Sequence, residues 1–224
     1  MNISDLYSRC PVLFHMAEPG SWPGIVTRGL LSTSALLDLY QVDGARREAI
    51  ESKRRPEKVK VSLQGLDDAI IRDQKPLNDV ALAACLNGGL TTRDWYRLIN
   101  RKVFFWTERT RLMWLMGANA YVGDEHLVIT VETEPLVSSC GDRVTLSAIN
   151  SGSTYVRKSN NEVAPRGPKT FQTISKFSPG DPVVELAVEE RVDDIRRFAR
   201  RADIMLCPRR DAEPELVREV WFRE

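Results

Sequence analysis

Four short apolar runs constrain the fold of this chain more than any other feature. Each is bounded by proline, glycine or polar residues and therefore predicts a buried strand; they span residues 11–16, 103–106, 126–131 and 182–188. Helix signals follow the first run, such as Ser21 before Pro23 and the N-cap residues at 32–34. Helices thus dominate the early part of the chain and strands the late part, which predicts an α+β fold.

Other helices and one long loop are predicted from the same kinds of signal. Residues 45–60 begin as a helix that ends at Pro56, because proline lacks the amide hydrogen that a helix interior needs. Residues 150–169 are rich in serine, glycine, asparagine, proline and lysine and predict a loop, which at this length is usually functional or disordered. The remaining predicted helices are 78–87, a segment capped by Thr91 or Thr92, 109–116 and the basic segment 191–204.

The composition limits the classes of protein to which the chain can belong. It has 224 residues without a repeat or a linker, so we predict a single domain spanning 1–224. With 32 Lys and Arg against 31 Asp and Glu, any surface for nucleic acid has to be a local patch. Four scattered cysteines without a CxxC pair, and only two histidines, argue against a zinc site and for a reducing compartment. No signal peptide or membrane segment is recognisable, so we expect a cytoplasmic protein without a membrane partner.

Glu185 is the most unusual residue by position, because it interrupts an apolar strand. It shares a strand face with Val183 and Ala187, and a carboxylate on such a face is costly unless it is paired or used. Two interpretations remain open at this point. Glu185 either faces solvent from an edge strand, or it lines a functional cleft.

His15 and the aromatic strand allow similar alternatives. A neutral imidazole at His15 can bind a ribose hydroxyl, or it can be a satisfied core histidine. Phe104, Phe105 and Trp106 can stack on a flat ring or form plain core. The basic stretch from Arg46 to Lys60 can clamp a pyrophosphate or form a solvated helix face. No glycine-rich dinucleotide motif, Walker lysine loop, HExxH motif or Ser-His-Asp set occurs.

The order of these features along the chain resembles that of the DarT-type ADP-ribosyltransferase toxins. The stretch from Leu13 to Ser32 is similar to their opening strand, which ends in His-x-Thr, and to the helix that leads to a Gly-Leu-Leu step. Here the motif is His15-Met16-Ala17, so the usual threonine is missing. Ile50-Glu-Ser-Lys-Arg54-Arg55 is similar to an Ile-x-x-x-Arg segment whose arginine engages the NAD phosphates, and either arginine can fill that role.

The resemblance continues through the second half of the chain. Residues 103–113 are similar to an aromatic strand and a Met-Leu helix, without the usual proline between them. Residues 126–137 resemble the central strand, and Ile149-Asn-Ser-Gly152 falls where the family has an Asp-Gly-Asn turn. The segment around Glu185 resembles the one that holds the catalytic glutamate. Local strings are closer to an uncharacterised bacterial family with His-Met-Ala-Glu-x-Gly-Ser-Trp and Arg-Val-Phe-Phe-Trp.

The resemblance implies an ADP-ribosyltransferase-like fold, with two small packed sheets, flanking helices and an NAD cleft between the sheets. It implies that Glu185 and Arg54 are catalytic, with Glu185 stabilising an oxocarbenium-like transition state and accepting a proton. The residues that it implies for binding NAD, which is the substrate, are His15, Met16, Ala17, Gly24, Leu31, Arg55, Phe105 and Trp106.

The acceptor implied by the resemblance is a nucleic-acid base, in DNA or RNA, and the protein would be a toxin of a toxin–antitoxin or phage-defence system with an antitoxin partner. The predicted loop supplies cations with an interleaved aromatic, which can bind a backbone and stack one base. The candidates are Asn150, Tyr155, Arg157, Lys158, Arg166 and Lys169. Two alternatives keep an enzyme: a protein acceptor, or transfer of an RNA 2′-phosphate to NAD, and Glu185 argues against the second. Two others are non-catalytic: a module that binds NAD or ADP-ribose, and a structural domain without a ligand.

Overall fold

The computed structural model describes residues 1–156 and 162–223. The helices are α1 (Ile3–Arg9), α2 (Trp22–Arg28), α3 (Thr33–Leu39), α4 (Gly44–Glu51), α5 (Asp79–Cys85), α6 (Thr92–Asn100), α7 (Arg109–Met116) and α8 (Thr133–Cys140). The strands are β1 (Val12–Ala17), β2 (Leu30–Leu31), β3 (Val59–Val61), β4 (Ala69–Ile71), β5 (Lys102–Trp106), β6 (Glu125–Glu132), β7 (Val144–Ser147), β8 (Glu185–Glu189), β9 (Arg191–Val192), β10 (Ala199–Leu206) and β11 (Glu215–Phe222).

The predicted α+β class is confirmed, and one antiparallel sheet organises it. In the described part of the chain, seven strands form this sheet in the order β11-β10-β6-β1-β5-β8-β7. Two small two-stranded sheets, β2–β9 and β3–β4, accompany it. All four apolar runs that predict strands contain strands of the main sheet: β1, β5, β6 and β8.

The main sheet has a weak junction between its two central strands. β1 pairs with β6 along its whole length, and β5 pairs with β8 along its whole length. β1 and β5 share a single register pair, Phe14 with Trp106. The sheet therefore consists of a four-stranded half (β11-β10-β6-β1) and a three-stranded half (β5-β8-β7), joined at one position.

Both faces of the main sheet are covered by helices. One face carries the largest core, in which Leu13, Phe105 and Leu186 pack with residues of α1, α2 and α8. On the other face, Leu112 and Met116 of α7 pack with apolar residues of β1, β6 and β10. A separate apolar cluster joins α5 and α6 to Phe104 of β5. These layers fix the positions of β1, β5 and β8, which carry the candidate site.

Local signals place most of the predicted helix ends correctly, but α4 ends at Glu51, five residues before the predicted end at Pro56. Ser32 caps α3, since its side chain accepts a hydrogen bond from the amide of Ala35. Thr91, rather than Thr92, caps α6 and forms a reciprocal pair of hydrogen bonds with Asp94. Gly117 follows the last residue of α7. Ser21 precedes α2 but makes no capping bond; its hydroxyl donates to the carbonyl of Glu18 instead.

The prediction of a basic helix at 191–204 is wrong. This segment contains β9, a short 3-10 turn at Ile195–Arg197 and most of β10. β10 is an interior strand of the main sheet, and its residues Ala199, Ala202 and Ile204 are buried. The arginines give this segment the sequence pattern of a basic helix. Its pairing with β6 and β11 nevertheless makes most of it a strand. β11, which follows, was not predicted at all.

No helix within the described ranges has the length and the apolar composition needed to cross a membrane.

Candidate active site

A cavity of about 260 Å³ opens where β1 and β5 separate. Neighbouring residues of both strands line it: His15 and Met16 of β1, and Phe104, Phe105 and Trp106 of β5. In a regular sheet, neighbouring residues point to opposite faces. Both sets can line one cavity because the two strands diverge beyond the Phe14–Trp106 pair.

The segment 72–77 forms the wall opposite the sheet, and Arg72, Asp73, Gln74, Pro76 and Leu77 all line the cavity. Backbone hydrogen bonds fix this segment to two other parts of the chain. The amide of Gln74 donates to the carbonyl of Arg55 at 2.6 Å, and the amide of Thr154 donates to that of Pro76 at 3.1 Å. The wall is therefore part of the folded framework.

Glu185 lies at the end of this cavity, and the interpretation of a solvent-facing edge residue is wrong. Its strand β8 is flanked by β5 and β7, and Glu185 is directly opposite Trp106 and Ser147. The residue is only 4% exposed. The amide of Ser151 donates to both carboxylate oxygens, at 3.1 and 3.2 Å. Burial raises the pKa of Glu185 to about 7, although the bonds from Ser151 and the positive charges of Arg166 and Arg111 lower it.

His15 lines the same cavity as a neutral imidazole. Its Nδ1 lies 2.8 Å from the carbonyl oxygen of Phe104, which can only accept, so Nδ1 carries the proton. Burial lowers the pKa of His15 to about 4, so Nε2 is an unprotonated acceptor at neutral pH. The ring also packs against Phe105, with the ring centroids 5.6 Å apart. His15 therefore combines a core contact with an acceptor at the cavity.

The two aromatic residues predicted to bind NAD differ in their positions. Phe105 is fully buried and belongs to the main core, so only part of its ring borders the cavity. Trp106 is half-buried and lies beside Glu185 across the β5–β8 pair. Trp106 is thus the aromatic that is better placed to contact a flat ring near Glu185.

The predicted arginines do not supply a free cation to the cavity. Arg54 does not line it, and its Nη2 donates to the carbonyl of Lys75 at 3.0 Å. Arg55 does line it but is buried and donates to the carbonyls of Ile50 and Arg72 and to Oδ1 of Asn100. Burial also lowers the pKa of Arg55 to about 10. Arg54, which the resemblance implies to be catalytic, therefore lies outside the cavity that contains Glu185.

Arg72 is a cavity residue that the sequence analysis missed. Its Nη1 contacts Oε1 of Glu18 at 3.1 Å and Nδ1 of His126 at 3.3 Å, and its guanidinium lies 5.3 Å from the ring centre of Tyr121. Its Nη2 has no hydrogen-bond partner among the described residues. Arg72 follows the short strand β4 directly, and no local pattern marks it as different from other surface arginines.

Asp73, also missed, adds a carboxylate to the same wall. It is 8% exposed, and its Oδ1 accepts hydrogen bonds from the hydroxyl of Tyr121 and the amide of Lys75. Its Oδ2 has no partner in the described part of the chain. The described residues contain no group of three or more His, Cys, Asp or Glu side chains that could hold a metal ion.

Three further residues predicted to bind NAD do not line the cavity: Ala17, Gly24 and Leu31. Ala17 ends β1, and its carbonyl accepts a long hydrogen bond of 3.4 Å from Arg72. Gly24 lies in α2, and Leu31 pairs with Arg191 in the small β2–β9 sheet.

The predicted nucleic-acid residues are dispersed. Asn150 lines the cavity, whereas Tyr155 is 69% exposed and Lys169 is also exposed. Arg166 is buried with its guanidinium bound to backbone carbonyls, so the structure does not place it on the surface. Arg157 and Lys158 lie outside the described residues.

The chain belongs to a family of unknown function, DUF7002, whose pattern it matches over residues 11–199. That range includes every residue that lines the cavity, from His15 to Glu185. A comparison with curated proteins finds no match.

Proposed function

We propose that this DUF7002 protein is an NAD-dependent ADP-ribosyltransferase and that Glu185 is its catalytic carboxylate. One observation carries the proposal. A buried carboxyl group with a pKa near 7 shares a single cavity with a neutral histidine acceptor, His15, and with a half-buried aromatic side chain, Trp106. Buried titratable groups with strongly altered pKa values are typical of catalytic sites.

The arrangement of the sheet supports an ADP-ribosyltransferase-like fold. The resemblance requires two small sheets with a cleft between them. The four-stranded and three-stranded halves, which meet only at Phe14 and Trp106, correspond to this requirement, and the cavity lies at their junction.

The size and the polar groups of the cavity fit the reacting half of NAD. Its volume of about 260 Å³ is slightly below the roughly 300–1,000 Å³ that is common for small-molecule sites. We therefore place the nicotinamide riboside inside, between Glu185 and His15, and direct the phosphates towards Arg72. Arg72 thereby replaces Arg54 and Arg55 in the role of phosphate ligand, because Arg54 does not line the cavity and the donors of Arg55 are bound to other groups of the protein.

In the proposed reaction, the bond between ribose C1′ and the nicotinamide nitrogen breaks, and its electron pair leaves with nicotinamide. The acceptor nitrogen then forms a bond to C1′ and loses its proton to Glu185. The ionised Glu185 also stabilises the positive charge that develops on the ribose ring. A pKa near 7 suits a group that accepts a proton at neutral pH. His15 accepts a hydrogen bond from a ribose hydroxyl, and Trp106 packs on the nicotinamide.

The acceptor in this proposal is a base of single-stranded DNA or RNA, and the protein is a toxin that requires an antitoxin. Support comes from Tyr155, whose exposed ring follows the turn that borders Glu185. An exposed aromatic two residues after that turn can stack a base of any sequence. Among the residues that the sequence predicts to contact nucleic acid, Lys169 is exposed and is available to bind a phosphate.

The decisive experiment incubates the protein with NAD labelled in its adenosine half and with single-stranded DNA, RNA or a protein mixture. We expect label on DNA or RNA, release of nicotinamide, and loss of at least 100-fold of the rate in Glu185→Gln. Glu134→Gln, at an exposed position of α8, is the matched control and keeps full activity. Full activity of Glu185→Gln would overturn the assignment of Glu185.

The same assay distinguishes the alternatives. Label on protein alone would replace the nucleic-acid acceptor. Binding of NAD by calorimetry without nicotinamide release would make the protein a non-catalytic module, and absence of binding would refute the proposal altogether.

A further inference from the structure

Arg166 is one of the largest fully buried side chains of the protein, at 1% exposure. Burying a guanidinium is costly unless its donors are satisfied. Its Nη1 donates to the carbonyl of Ala164 at 2.6 Å, and its Nη2 donates to the carbonyls of Asn150, at 3.0 Å, and Ser153. Its Nε has no hydrogen-bond partner among the described residues, so the bonds of Nη1 and Nη2 are the ones that hold the guanidinium inside the fold.

Two of these three carbonyls bracket the turn that binds Glu185. Ser151 and Gly152 lie between Asn150 and Ser153, and the amide of Ser151 donates to both oxygens of Glu185. The amide of Gly152 donates to Oδ1 of Asn150 at 3.1 Å, which closes the turn. One guanidinium thus holds both ends of the turn whose amide holds the carboxylate.

Arg166 is itself fixed to the helical layer. Its amide donates to the carbonyl of Cys85, and its own carbonyl accepts from the amide of Asn87, both at 2.8 Å. Its guanidinium lies 6.0 Å from the ring centre of the buried Trp95 in α6. Arg166 therefore connects α5 and α6 rigidly to the turn at Glu185.

We propose that Arg166 is a positioning residue, which holds the 150–153 turn on Glu185 and so fixes that carboxylate in the cavity. The role rests on the proposed function only in calling Glu185 catalytic, because the contacts themselves do not depend on NAD. It replaces the role in binding nucleic acid that the sequence suggested for Arg166.

The charges around Glu185 bear on how the role is tested. Arg166 and Arg111 of α7 both favour the ionised carboxylate. The charged or titratable groups that line the cavity, besides Glu185, are His15, Arg55, Arg72, Asp73, Lys102 and Tyr121. Since a substitution at Arg166 leaves all of these in place, a change in the titration of Glu185 reports on the turn and on the charge of Arg166.

The test is an NMR titration of the Glu185 carboxyl carbon in wild type, Arg166→Gln and Arg166→Lys, assigned by comparison with Glu185→Gln. We expect the pKa of Glu185 to rise by about one unit or more in Arg166→Gln, because the positive charge and the hydrogen bonds to the carbonyls of the turn are both lost. Arg166→Lys keeps the charge but not the forked geometry, and should give a smaller rise. Lys169→Gln removes an exposed cation three residues away and should give none.

An unchanged pKa of Glu185 in a folded Arg166→Gln protein would overturn the proposal. If that variant does not fold, Arg166→Lys takes its place, and an unchanged pKa of Glu185 in that folded variant would equally overturn the proposal. The titration needs no ligand and no turnover. Its outcome is therefore distinct from failure of the ADP-ribosyltransferase proposal, which the labelled-NAD assay decides.

Discussion

At the scale of single residues, Glu185 and His15 make the stability of the protein depend on pH in opposite directions. Burial raises the pKa of Glu185 from 4.5 to about 7, so the folded state binds more protons than the unfolded state between those values, and stability falls as pH rises. Burial lowers the pKa of His15 from 6.5 to about 4, so stability rises with pH over nearly the same range.

We predict that these two effects largely cancel in the wild type and that Glu185→Gln removes the cancellation. The difference in unfolding free energy between variant and wild type should grow in favour of the variant by up to about 3 kcal/mol from pH 4.5 to 7. Urea denaturation at several pH values measures this difference. A difference that does not change with pH would mean that Glu185 titrates like an exposed glutamate.

Arg54 and Arg55 are a matched pair of neighbours that the sequence could not distinguish. Arg55 is buried and binds two carbonyls and Asn100, whereas Arg54 makes one hydrogen bond to a carbonyl. We predict that Arg55→Met lowers the unfolding free energy by about 2–4 kcal/mol, since it leaves buried acceptors unpaired. Arg54→Met should cost less than about 1 kcal/mol. Chemical denaturation checks both, and equal costs would contradict the assigned roles.

At the scale of elements, the helix signals were reliable where the chain itself satisfies the helix end. Thr91 shows this, because its side chain and that of Asp94 complete the first turn of α6 without help from other elements. β10 shows the reverse. Its Arg200 binds Glu132 of β6 while its apolar residues enter the core, and both facts depend on strands distant in sequence.

The cap of α6 gives a direct test. Thr91→Ala should lower the unfolding free energy by about 1 kcal/mol, because the amide of Asp94 loses its acceptor. Thr92→Ala, one residue into the helix, should have little effect or stabilise slightly. Thermal or urea denaturation of the pair measures the difference, and identical stabilities would show that the cap contributes nothing.

The candidate site was predictable only in part, because some of its residues are positioned by contacts with segments distant in sequence. Glu185 and His15 each break an apolar strand pattern, so the sequence itself marks them. Arg72 and Asp73 lie in a segment without regular structure. They reach the cavity because backbone hydrogen bonds join Gln74 to Arg55 and Pro76 to Thr154. Arg166 looks like a surface cation in sequence, and only its three carbonyl partners show otherwise.

At the scale of the whole molecule, a ligand in the cavity contacts both halves of the main sheet. We predict that NAD at 100 times its dissociation constant stabilises the protein by about 2.7 kcal/mol. This corresponds to an increase in melting temperature of roughly 5–10 °C for a chain of this size. Glu185→Gln should keep most of the increase, because it removes chemistry rather than the cavity. Adenine alone is the control, and no increase with NAD would argue against the proposed site.

The single pair that joins β1 to β5 has a consequence for how the halves stay together. The chain passes from one half to the other four times: from β1 to β5, β5 to β6, β6 to β7 and β8 to β10. Any separation of the strands at Phe14 and Trp106 would therefore be intramolecular, since the covalent crossings keep the two edges at a high effective concentration. The four covalent crossings and the core shared by Leu13, Phe105 and Leu186 together hold the two halves in place.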